Sequence, residues 1–546
     1  MNTPSARGLF AKYPISLDIV IFLTALFVVL SANLGFFQQA LNIYSFKDNA
    51  AFIISLGGVL LGLTWLIFQL LSYRRSYRFV LIFMVIIAAI CAYFTDTYGT
   101  IFDRNMLING LQTDQSEARD LLAPSFIIRV LLLGIVPAVI LYKIQTPIQS
   151  FKKALIHKTV TILMALALVA VCILPFGDQY ASFFRQHKQV RYYTNPITPV
   201  YSAIKLGQVY YKDLTRPTSI VQHASDAVKT PTADHKPKLM VLVVGETARA
   251  DHISLNGYPR ETMPLLAKQP DVYSYQQAFS CGTSTAYSVP CMFSYLGQKD
   301  YNMDEADYQE NVIDTLSRLG VKVVWRDNNS SSKGVADRVT YEDFKTPGLN
   351  PDCEGECRDV GMLTGFDKLV SAQSPQPAKQ SADTLIVLHQ MGNHGPAYYK
   401  RYPKAFEKFK PVCMSNELSK CDAASLINGY DNALLYTDFF LNSTIETLKK
   451  YQDRYDVVMV YMSDHGESLG ENNIYLHGLP YKVAPEAQKH VPLIIWSPAG
   501  NHVDTASIKA QLNQPVTHDY ITPTLLKFFN IQTQAVAGKP TFFDTQ

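Results

Sequence analysis

The chain has 546 residues, more than one ordinary domain holds, so several structural parts are expected. Hydrophobic residues make up 48% of it and charged residues only 17%, a charge content below that of typical soluble proteins. The formal net charge of +3 is too small to indicate a nucleic-acid-binding protein.

Five apolar stretches in the first third of the chain are each long enough to cross a bilayer. The first is not a cleavable signal peptide, because it is too long, lacks a small-residue cleavage site and is followed by further spans. The sequence therefore predicts an α-helical transmembrane domain of five spans over residues 1–176. The predicted spans are Ile15–Phe37, Ala50–Leu71, Tyr77–Phe94, Leu121–Tyr142 and Val160–Phe176.

Basic residues in the loops orient these spans. They precede the first span and fill the loops between the second and third spans and between the fourth and fifth. All three segments lie on one side, which the positive-inside rule makes cytoplasmic. An odd number of spans then places the chain after about Phe176 on the outer side of the membrane. These basic residues are Arg7, Lys12, Arg74, Arg75, Arg78, Lys143, Lys152, Lys153 and Lys158.

Six of the eight cysteines lie in this exported part, in three close pairs. An even number of exported cysteines is typical of disulfides in an oxidising compartment. Zinc ligation is the alternative, but the spacings suit a zinc ribbon poorly. Although fifteen pairings are formally open, proximity favours Cys281 with Cys291, Cys353 with Cys357 and Cys413 with Cys421.

Residues 177–236 are polar, aromatic and interrupted by prolines, which predicts a bridge of short helices near the membrane surface. Over residues 237–546, short apolar runs alternate with helical stretches such as Val312–Leu319 and Ala424–Lys450. Strands rich in Val, Ile and Leu on both faces, separated by helices, indicate a mostly parallel sheet covered by helices. The predicted strands are Leu239–Val244, Val321–Trp325, Thr384–His389, Val457–Met462 and Val491–Trp496.

Side chains that suit metal chemistry follow two of these strands, where α/β folds carry their active sites. Glu246 follows the first strand, and Asp464 with His465 follows another. Two carboxylates and an imidazole suit Zn²⁺ and leave a coordination position open. Thr285, just before a predicted helix Ala286–Leu296, offers a hydroxyl whose pKa a metal would lower. Each residue alone is also typical of an ordinary polar loop, so the pattern leaves a structural interpretation open.

Five segments of the exported domain resemble the phosphoethanolamine–lipid A transferases, the family that includes the mobilised colistin-resistance enzymes. The resemblance covers nearly the whole chain. It implies an inner-membrane protein with a periplasmic catalytic domain of alkaline phosphatase/sulfatase-like fold, a mixed sheet sandwiched by helices. The segments that carry it are Gly245–Leu266, Cys281–Gly297, Arg326–Val335, Met391–Pro403 and Ser463–Gly478.

The resemblance implies a transfer in two steps. Thr285 attacks the phosphorus of phosphatidylethanolamine, releases diacylglycerol and carries phosphoethanolamine covalently, and a lipid A phosphate then accepts the group. Capping that phosphate removes negative charge, so polymyxins such as colistin should bind the cell surface less well. The expected partners are these two lipids and the membrane, and the chain is expected to act as a monomer.

The resemblance also implies which residues bind the metal. His394 and His477 match histidines that contact substrate phosphate or a second zinc ion. Glu467 lies close to the metal without an implied role, and His389 is interpreted as a structural residue at a strand end. The implied zinc ligands are Glu246, Thr285, Asp464 and His465.

A third set of matches concerns the substrates. Lys333 can pair with a phosphate oxygen as a compact charge, and the carboxylate of Glu117 suits an ethanolammonium group. A solvated loop acid is the alternative for Glu117. The matched substrate-binding residues are Asn329, Ser330 and Lys333 in the exported domain, with Asn109, Thr113 and Glu117 in the loop between the third and fourth spans.

Other functions fit parts of the same pattern. A sulfatase needs a Cys or Ser followed by Pro and Arg, which the segment around Thr285 lacks. A glycerol-phosphate transferase that makes lipoteichoic acid also has five spans and a threonine nucleophile, but six exported cysteines disfavour it. The acceptor could instead be a core sugar or another glycan. A catalytically silent receptor for lipid head groups is the alternative outside enzymes.

Overall fold

The computed structural model describes residues 15–113, 115–214, 219–230, 236–371 and 383–545, apart from the side chains of residues 115–117 and 371. Contacts between residues divide the chain into two units. The first unit comprises the chain up to Leu107 together with Leu122–Gln208, and the second comprises Ile108–Leu121 and Val209–Gln546. The sequence-based boundaries at 176 and 236 stay predictions.

The N-terminal part of the chain is helical as far as the structure describes it. A π-helical turn, Val130–Ile135, joins α7 to α8, and a 3₁₀ turn, Lys188–Tyr193, precedes α11. The helices are α1 (Leu17–Ala32), α2 (Leu34–Ile43), α3 (Phe46–Leu71), α4 (Tyr77–Tyr98), α5 (Arg104–Gln112), α6 (Gln115–Leu121), α7 (Pro124–Arg129), α8 (Val136–Lys143), α9 (Phe151–Ile173), α10 (Gly177–Gln186) and α11 (Ile197–Asp213).

The first predicted span is not a single helix. Four stretches are long and apolar enough to cross a membrane, namely α3, α4, Pro124–Lys143 and Phe151–Gln186, whereas α1 and α2 form a pair bent by 58°. The bend lies at Asn33, whose side-chain amide donates to the carbonyls of Val28 at 3.1 Å and Asn195 at 2.8 Å. The chain therefore has four candidate spans, or five if the bent pair counts as one, among the residues described.

The second unit is built on an eight-stranded mixed sheet. Its strands are β1 (Lys238–Gly245), β2 (Val272–Phe279), β3 (Lys322–Asp327), β4 (Thr340–Asp343), β5 (Thr384–His389), β6 (Asp456–Ser463), β7 (His490–Trp496) and β8 (Val516–Thr517). They lie in the order β8-β2-β7-β6-β1-β5-β3-β4. The neighbours from β6 to β4 are parallel, but β7 is antiparallel to both β6 and β2. The five predicted strands all form, and the mostly parallel sheet is confirmed, because β8 and β2 are again parallel and, of the eight strands, only β7 runs against its neighbours.

Helices cover this sheet, with small two-stranded pairs at its margins. The predicted helix after Thr285 begins one residue earlier and ends at Met292, where the amide of Ser294 turns back to the carbonyl of Cys291 at 3.1 Å. The three predicted cysteine pairs are the three disulfides. The remaining helices are α12 (Thr285–Met292), α13 (Gly297–Asp300), α14 (Val312–Arg318), α15 (Phe366–Ser371), α16 (Ala423–Lys449), α17 (Thr505–Gln511) and α18 (Ile521–Phe528).

The core of the second unit lies on β1, whose eight residues are all buried. Leu242 on this strand is 1% exposed. Truncating it should leave a cavity between sheet and helices, because the close-packed interior relaxes only partly. Leu242→Ala should therefore lower the free energy of unfolding by about 2–5 kcal/mol. Urea denaturation followed by fluorescence of the buried Trp325 and Trp496 measures this.

Leu349 is the matched control because it is 50% exposed. Leu349→Ala should change the free energy of unfolding by no more than about 0.5 kcal/mol. Equal losses for the two variants would show that β1 is not the core strand.

Candidate active site

The register of two neighbouring parallel strands creates the site. Gly245 at the end of β1 pairs with Ser463 at the end of β6. The next residues along each strand, Glu246 and Asp464, therefore leave the sheet side by side at its carboxyl edge. The amide of Asp464 donates to the carbonyl of Gly245 at 2.9 Å, which fixes this arrangement.

Glu246, Asp464 and His465 form a compact group that we name the strand-end cluster. Their ligand atoms lie within 4.8 Å of one another, and all three residues are buried. His465 Nε2 lies 3.5 Å from Glu246 Oε1 and 3.4 Å from Asp464 Oδ2. Thr285 at the start of α12 reaches the same point, because its Oγ1 lies 3.1 Å from Glu246 Oε2 and 3.2 Å from His465 Nε2.

The donor atoms of the strand-end cluster fit a divalent cation. Glu246 Oε1 and Asp464 Oδ2 are buried without a hydrogen-bond partner among the described residues. The ring of His465 is held at Nδ1, which lies 2.9 Å from the carbonyl of Gly466 and can donate to it. That bond leaves the Nε2 lone pair directed at the two carboxylates. Two carboxylates and an imidazole make a donor set that suits zinc.

The pKa shifts in the strand-end cluster also favour a bound divalent cation. Burial raises the pKa of Asp464 to about 6, and burial followed by the charge of Asp464 raises the pKa of Glu246. Burial lowers the pKa of His465 to about 4, so its imidazole is neutral. A bound cation would favour the ionised carboxylates because it supplies the opposite charge that this buried place lacks.

The substrate-binding role of Asn329 stays a prediction, and its side chain also contacts the strand-end cluster. Its Nδ2 donates to Glu246 Oε2 at 2.8 Å and to the carbonyl of Gln390 at 2.7 Å. Ser330 in turn donates its hydroxyl to Asn329 Oδ1 at 3.0 Å. In this structure Asn329 orients a carboxylate of the cluster, a contact that the sequence motif did not reveal.

His394 and His477 lie beside the strand-end cluster without belonging to it. The ring centroid of His477 is 4.2 Å from that of His465 and 5.8 Å from that of His394. Glu467, whose role the sequence left open, accepts from His477 Nδ1 at 2.8 Å. Its other oxygen accepts from the hydroxyl of Tyr398 at 2.6 Å, and burial raises the pKa of Glu467 to about 7.

Sequence reasoning did not identify Tyr398, which lies in a loop with no metal-type spacing. The structure shows the constraint on this loop at Gly395. A Cβ there would lie 2.7 Å from Glu467 Oε1 and 2.9 Å from the Tyr398 hydroxyl. A larger residue at this position would have to displace the two oxygens that form this contact.

The loop between the third and fourth predicted spans contributes to the second unit. Lys333 Nζ donates to the carbonyl of Gln112 at 3.3 Å. Thr113 donates its hydroxyl to the carbonyl of Asn109 at 2.8 Å, so these two residues close the end of α5. The backbone of Glu117 lies in α6, but its side chain is outside the described part of the structure.

Asp120 anchors this loop on the second unit. Its carboxylate accepts from Arg401 Nη2 at 3.0 Å and from Lys400, and its carbonyl accepts from Asn416 at 2.7 Å. The guanidinium of Arg401 also contacts Glu356 at 2.6 Å. This buried network explains why residues 108–121 pack with the second unit although membrane-type helices flank them in sequence.

His389 keeps the structural role expected of it at the end of β5. Its Nδ1 lies 3.0 Å from Asp327 Oδ2, which also accepts from Trp325 Nε1 at 2.8 Å. Both His389 and Asp327 are fully buried. The pair ties the end of β5 to the end of β3, next to the loop that supplies Asn329.

Apolar helices long enough to cross a membrane, together with a mixed α/β sheet that carries a hydroxyl beside a carboxylate–imidazole cluster, fit a membrane-bound transfer enzyme. Comparison with known proteins narrows this class. The family model described as Sulfatase matches residues 238–531, and the one described as Phosphoethanolamine transferase EptA/EptB matches residues 60–211.

Relatives along the whole chain agree. The chain is 51% identical to phosphatidylethanolamine transferase Mcr-2 of Escherichia coli over 97% of this chain and 98% of that protein. It is 48% identical to phosphatidylethanolamine transferase Mcr-1 of the same species, over 95% of this chain and 96% of that protein. The structure of lipooligosaccharide phosphoethanolamine transferase A from Neisseria meningitidis matches with a TM-score of 0.89 at 32% identity. The match covers 96% of this chain and 97% of that protein. The chain therefore belongs to the phosphoethanolamine transferase family.

The backbone of Gly392 supports the strand-end cluster and generates a prediction. A Cβ at this position would lie 2.9 Å from the carbonyl oxygen of Glu246 and 3.2 Å from its Cβ. Gly392→Ala should displace Glu246, lower metal retention and abolish most transfer activity. Metal content and phosphoethanolamine transfer by the purified full chain measure the two effects.

Gly320→Ala is the matched control. Gly320 also has a positive φ, 82° against 50° for Gly392, but an added Cβ would have nothing within 4 Å. Both variants carry the backbone strain, and only Gly392→Ala adds the clash, worth about 1–3 kcal/mol. A Gly392→Ala protein with full metal content and activity would contradict this account of Glu246.

Proposed function

We propose that the protein transfers phosphoethanolamine from phosphatidylethanolamine to a phosphate of lipid A, on the periplasmic side of the bacterial inner membrane. The observation that carries this proposal is the Thr285 hydroxyl, which lies within 3.2 Å of both Glu246 and His465 at the carboxyl edge of the sheet. Family membership supports the group that is transferred, because the relatives Mcr-2 and Mcr-1 are named phosphatidylethanolamine transferases.

We further propose that Glu246, Asp464 and His465 hold a zinc ion, with Thr285 as the fourth ligand. The unpartnered carboxylate oxygens and the orientation of His465 support this choice of residues. A zinc ion bound there would lower the pKa of the threonine hydroxyl and neutralise charge on the phosphoryl group. His394 and His477 would contact the substrate phosphate or a second zinc ion.

In the first step the Thr285 oxygen attacks the phosphorus of phosphatidylethanolamine. The bond from threonine oxygen to phosphorus forms, the bond from phosphorus to the glycerol oxygen breaks, and diacylglycerol leaves. Overall, one proton moves from the threonine hydroxyl to the glycerol oxygen. His477 can donate that proton, since Glu467 holds its other ring nitrogen at 2.8 Å.

In the second step an oxygen of the lipid A phosphate attacks the same phosphorus. The bond to Thr285 breaks, the threonine regains a proton, and lipid A keeps the phosphoethanolamine. Lys333, with Ser330 nearby, would pair with phosphate oxygens of the substrates. Asn109, Thr113 and Glu117 would bind the ethanolammonium head group of the donor lipid.

The product has a direct consequence for the cell surface. The phosphoethanolamine cap removes negative charge from lipid A and adds a cation. Cationic peptides such as polymyxin and colistin should then bind less well, because their attraction to the surface is electrostatic. Cells that make the protein should therefore show modified lipid A together with reduced polymyxin susceptibility.

The nucleophile is tested by intact-mass analysis of the full chain after incubation with phosphatidylethanolamine alone. A phosphoethanolamine adduct should appear on Thr285, because no acceptor is present to remove it. Thr285→Ala should carry no adduct and leave cellular lipid A unmodified. Thr283→Ala, two residues away, should still carry the adduct.

An adduct on a residue other than Thr285 would reject this nucleophile. A glycerol-phosphate adduct from phosphatidylglycerol would instead support the glycerol-phosphate transferase alternative. If lipid A stays unmodified while a core sugar gains phosphoethanolamine, the transfer reaction stands and the core sugar is the acceptor.

The metal is tested by elemental analysis of the purified chain. Asp464→Asn should lose most of the bound zinc and at least about a hundredfold of the transfer rate, because a neutral amide is a poor ligand for zinc. Chelation should inactivate the unmodified protein, and added zinc should restore it. His223→Gln is the control, since His223 contacts Gln309 instead of the strand-end cluster. Undiminished activity of the zinc-free protein would reject the metal.

A further inference from the structure

A cavity of about 670 Å³ lies inside the first unit. One wall is apolar and comes from α3, with Leu56 and Leu60 buried and Leu63 exposed along it. Another part of the lining comes from the 3₁₀ turn and α11, and includes Arg191 and Lys205. Its volume is in the range of lipid-head-group and cofactor sites, and none of the proposed catalytic steps uses it.

The charge of this cavity is distinctive. Three cationic side chains, Arg104, Arg191 and Lys205, line it against one carboxylate, Asp103, which gives a net charge of +2. The carboxylate of Asp103 accepts from the amide of Met106 at 2.9 Å, so it caps α5. This excess of positive charge favours an anionic ligand over a zwitterionic one.

Aromatic residues hold the cations at the rim. The guanidinium of Arg191 lies over the ring of Tyr192 at 5.0 Å and donates to its hydroxyl at 3.1 Å. The ammonium of Lys205 lies over the ring of Tyr201 at 5.3 Å. Tyrosine and basic residues grouped in this way are typical of the interface between a bilayer and water.

The helix that forms the apolar wall suits the entry of a bilayer lipid. α3 is one of the candidate spans, and its exposed Leu63 lines the cavity. Asp103 and Arg104 follow α4 at the end opposite to the basic loop between α3 and α4. The positive-inside rule puts that loop in the cytoplasm, so the cationic rim belongs to the outer leaflet.

We propose that this cavity binds the acceptor lipid through a phosphate monoester, with an acyl chain along α3. A phosphate monoester carries a charge of about −1.5 to −2 at pH 7, which complements the three cations. Phosphatidylethanolamine is a poorer ligand because its ammonium group is repelled. The inference rests on the proposed function, since it assigns a second binding place to the lipid that receives phosphoethanolamine.

The test uses the full chain in mixed micelles with phosphatidylethanolamine and increasing lipid A. The double variant Arg191→Gln/Lys205→Gln should raise the KM for lipid A about 30-fold, since each basic residue near a lipid phosphate contributes about fivefold in affinity. Formation of the phosphoethanolamine adduct without acceptor should keep its normal rate. Leu63→Trp, which fills the apolar wall without changing charge, should also raise the KM for lipid A.

Arg185→Gln/Lys188→Gln is the matched control, because both residues are exposed cations of the same region and neither lines the cavity. This control should leave the KM for lipid A unchanged. An unchanged KM in the cavity variant would overturn the proposal, and so would an equal loss in adduct formation.

Native mass spectrometry tests the same cavity without turnover. Lipid A added to the purified chain should be retained by the unmodified protein and lost from the double variant. Retention of phosphatidylglycerol in preference to lipid A would overturn the proposal by identifying a structural phospholipid. If the unmodified protein retains lipid A but transfers nothing to it, the proposed function fails while the cavity assignment stands.

Discussion

Two carboxylates and an imidazole are buried together at the carboxyl edge of the eight-stranded sheet, and the rest of the site is arranged around that cluster. Glu246 and Asp464 are at most 1% exposed, and their inward oxygens have no partner among the described residues. Burying ionised groups without a counter-charge is expensive, so such a cluster persists only where a cation or proton balances it. This requirement connects the sheet register to the chemistry, because the Thr285 hydroxyl donates a hydrogen bond to Glu246 of the same cluster.

The surrounding elements serve to hold these side chains in place. Parallel pairing of β1 and β6 sets Glu246 beside Asp464, and Asn329 at the end of β3 fixes the carboxylate of Glu246. The amide-rich loop after β5 brings Gly392 against the Glu246 backbone. An ionic network at Asp120 ties a loop from among the membrane helices onto the same unit. Each of these contacts spans a long distance in sequence, which is why a rigid sheet suits a site of this kind.

Much of this arrangement could be predicted from the sequence. The remaining features depend on contacts between residues that are far apart in the chain. Apolar runs predicted the strands, and closeness in sequence predicted the disulfide pairs. Both features depend on neighbouring residues alone. The bend at Asn33 was missed, since it depends on a hydrogen bond to Asn195, far along the chain. The contact of Asn329 with Glu246 and that of Tyr398 with Glu467 were also missed, because side-chain pairing across loops has no period in sequence.

X-ray absorption at the zinc edge of the purified full chain tests the central claim most directly. The account predicts a first shell of nitrogen and oxygen only, at about 2.0–2.1 Å, with the outer-shell signature of one imidazole from His465. A sulfur shell at about 2.3 Å, or a signature of several imidazoles with no carboxylate, would contradict a zinc site built from the ends of β1 and β6.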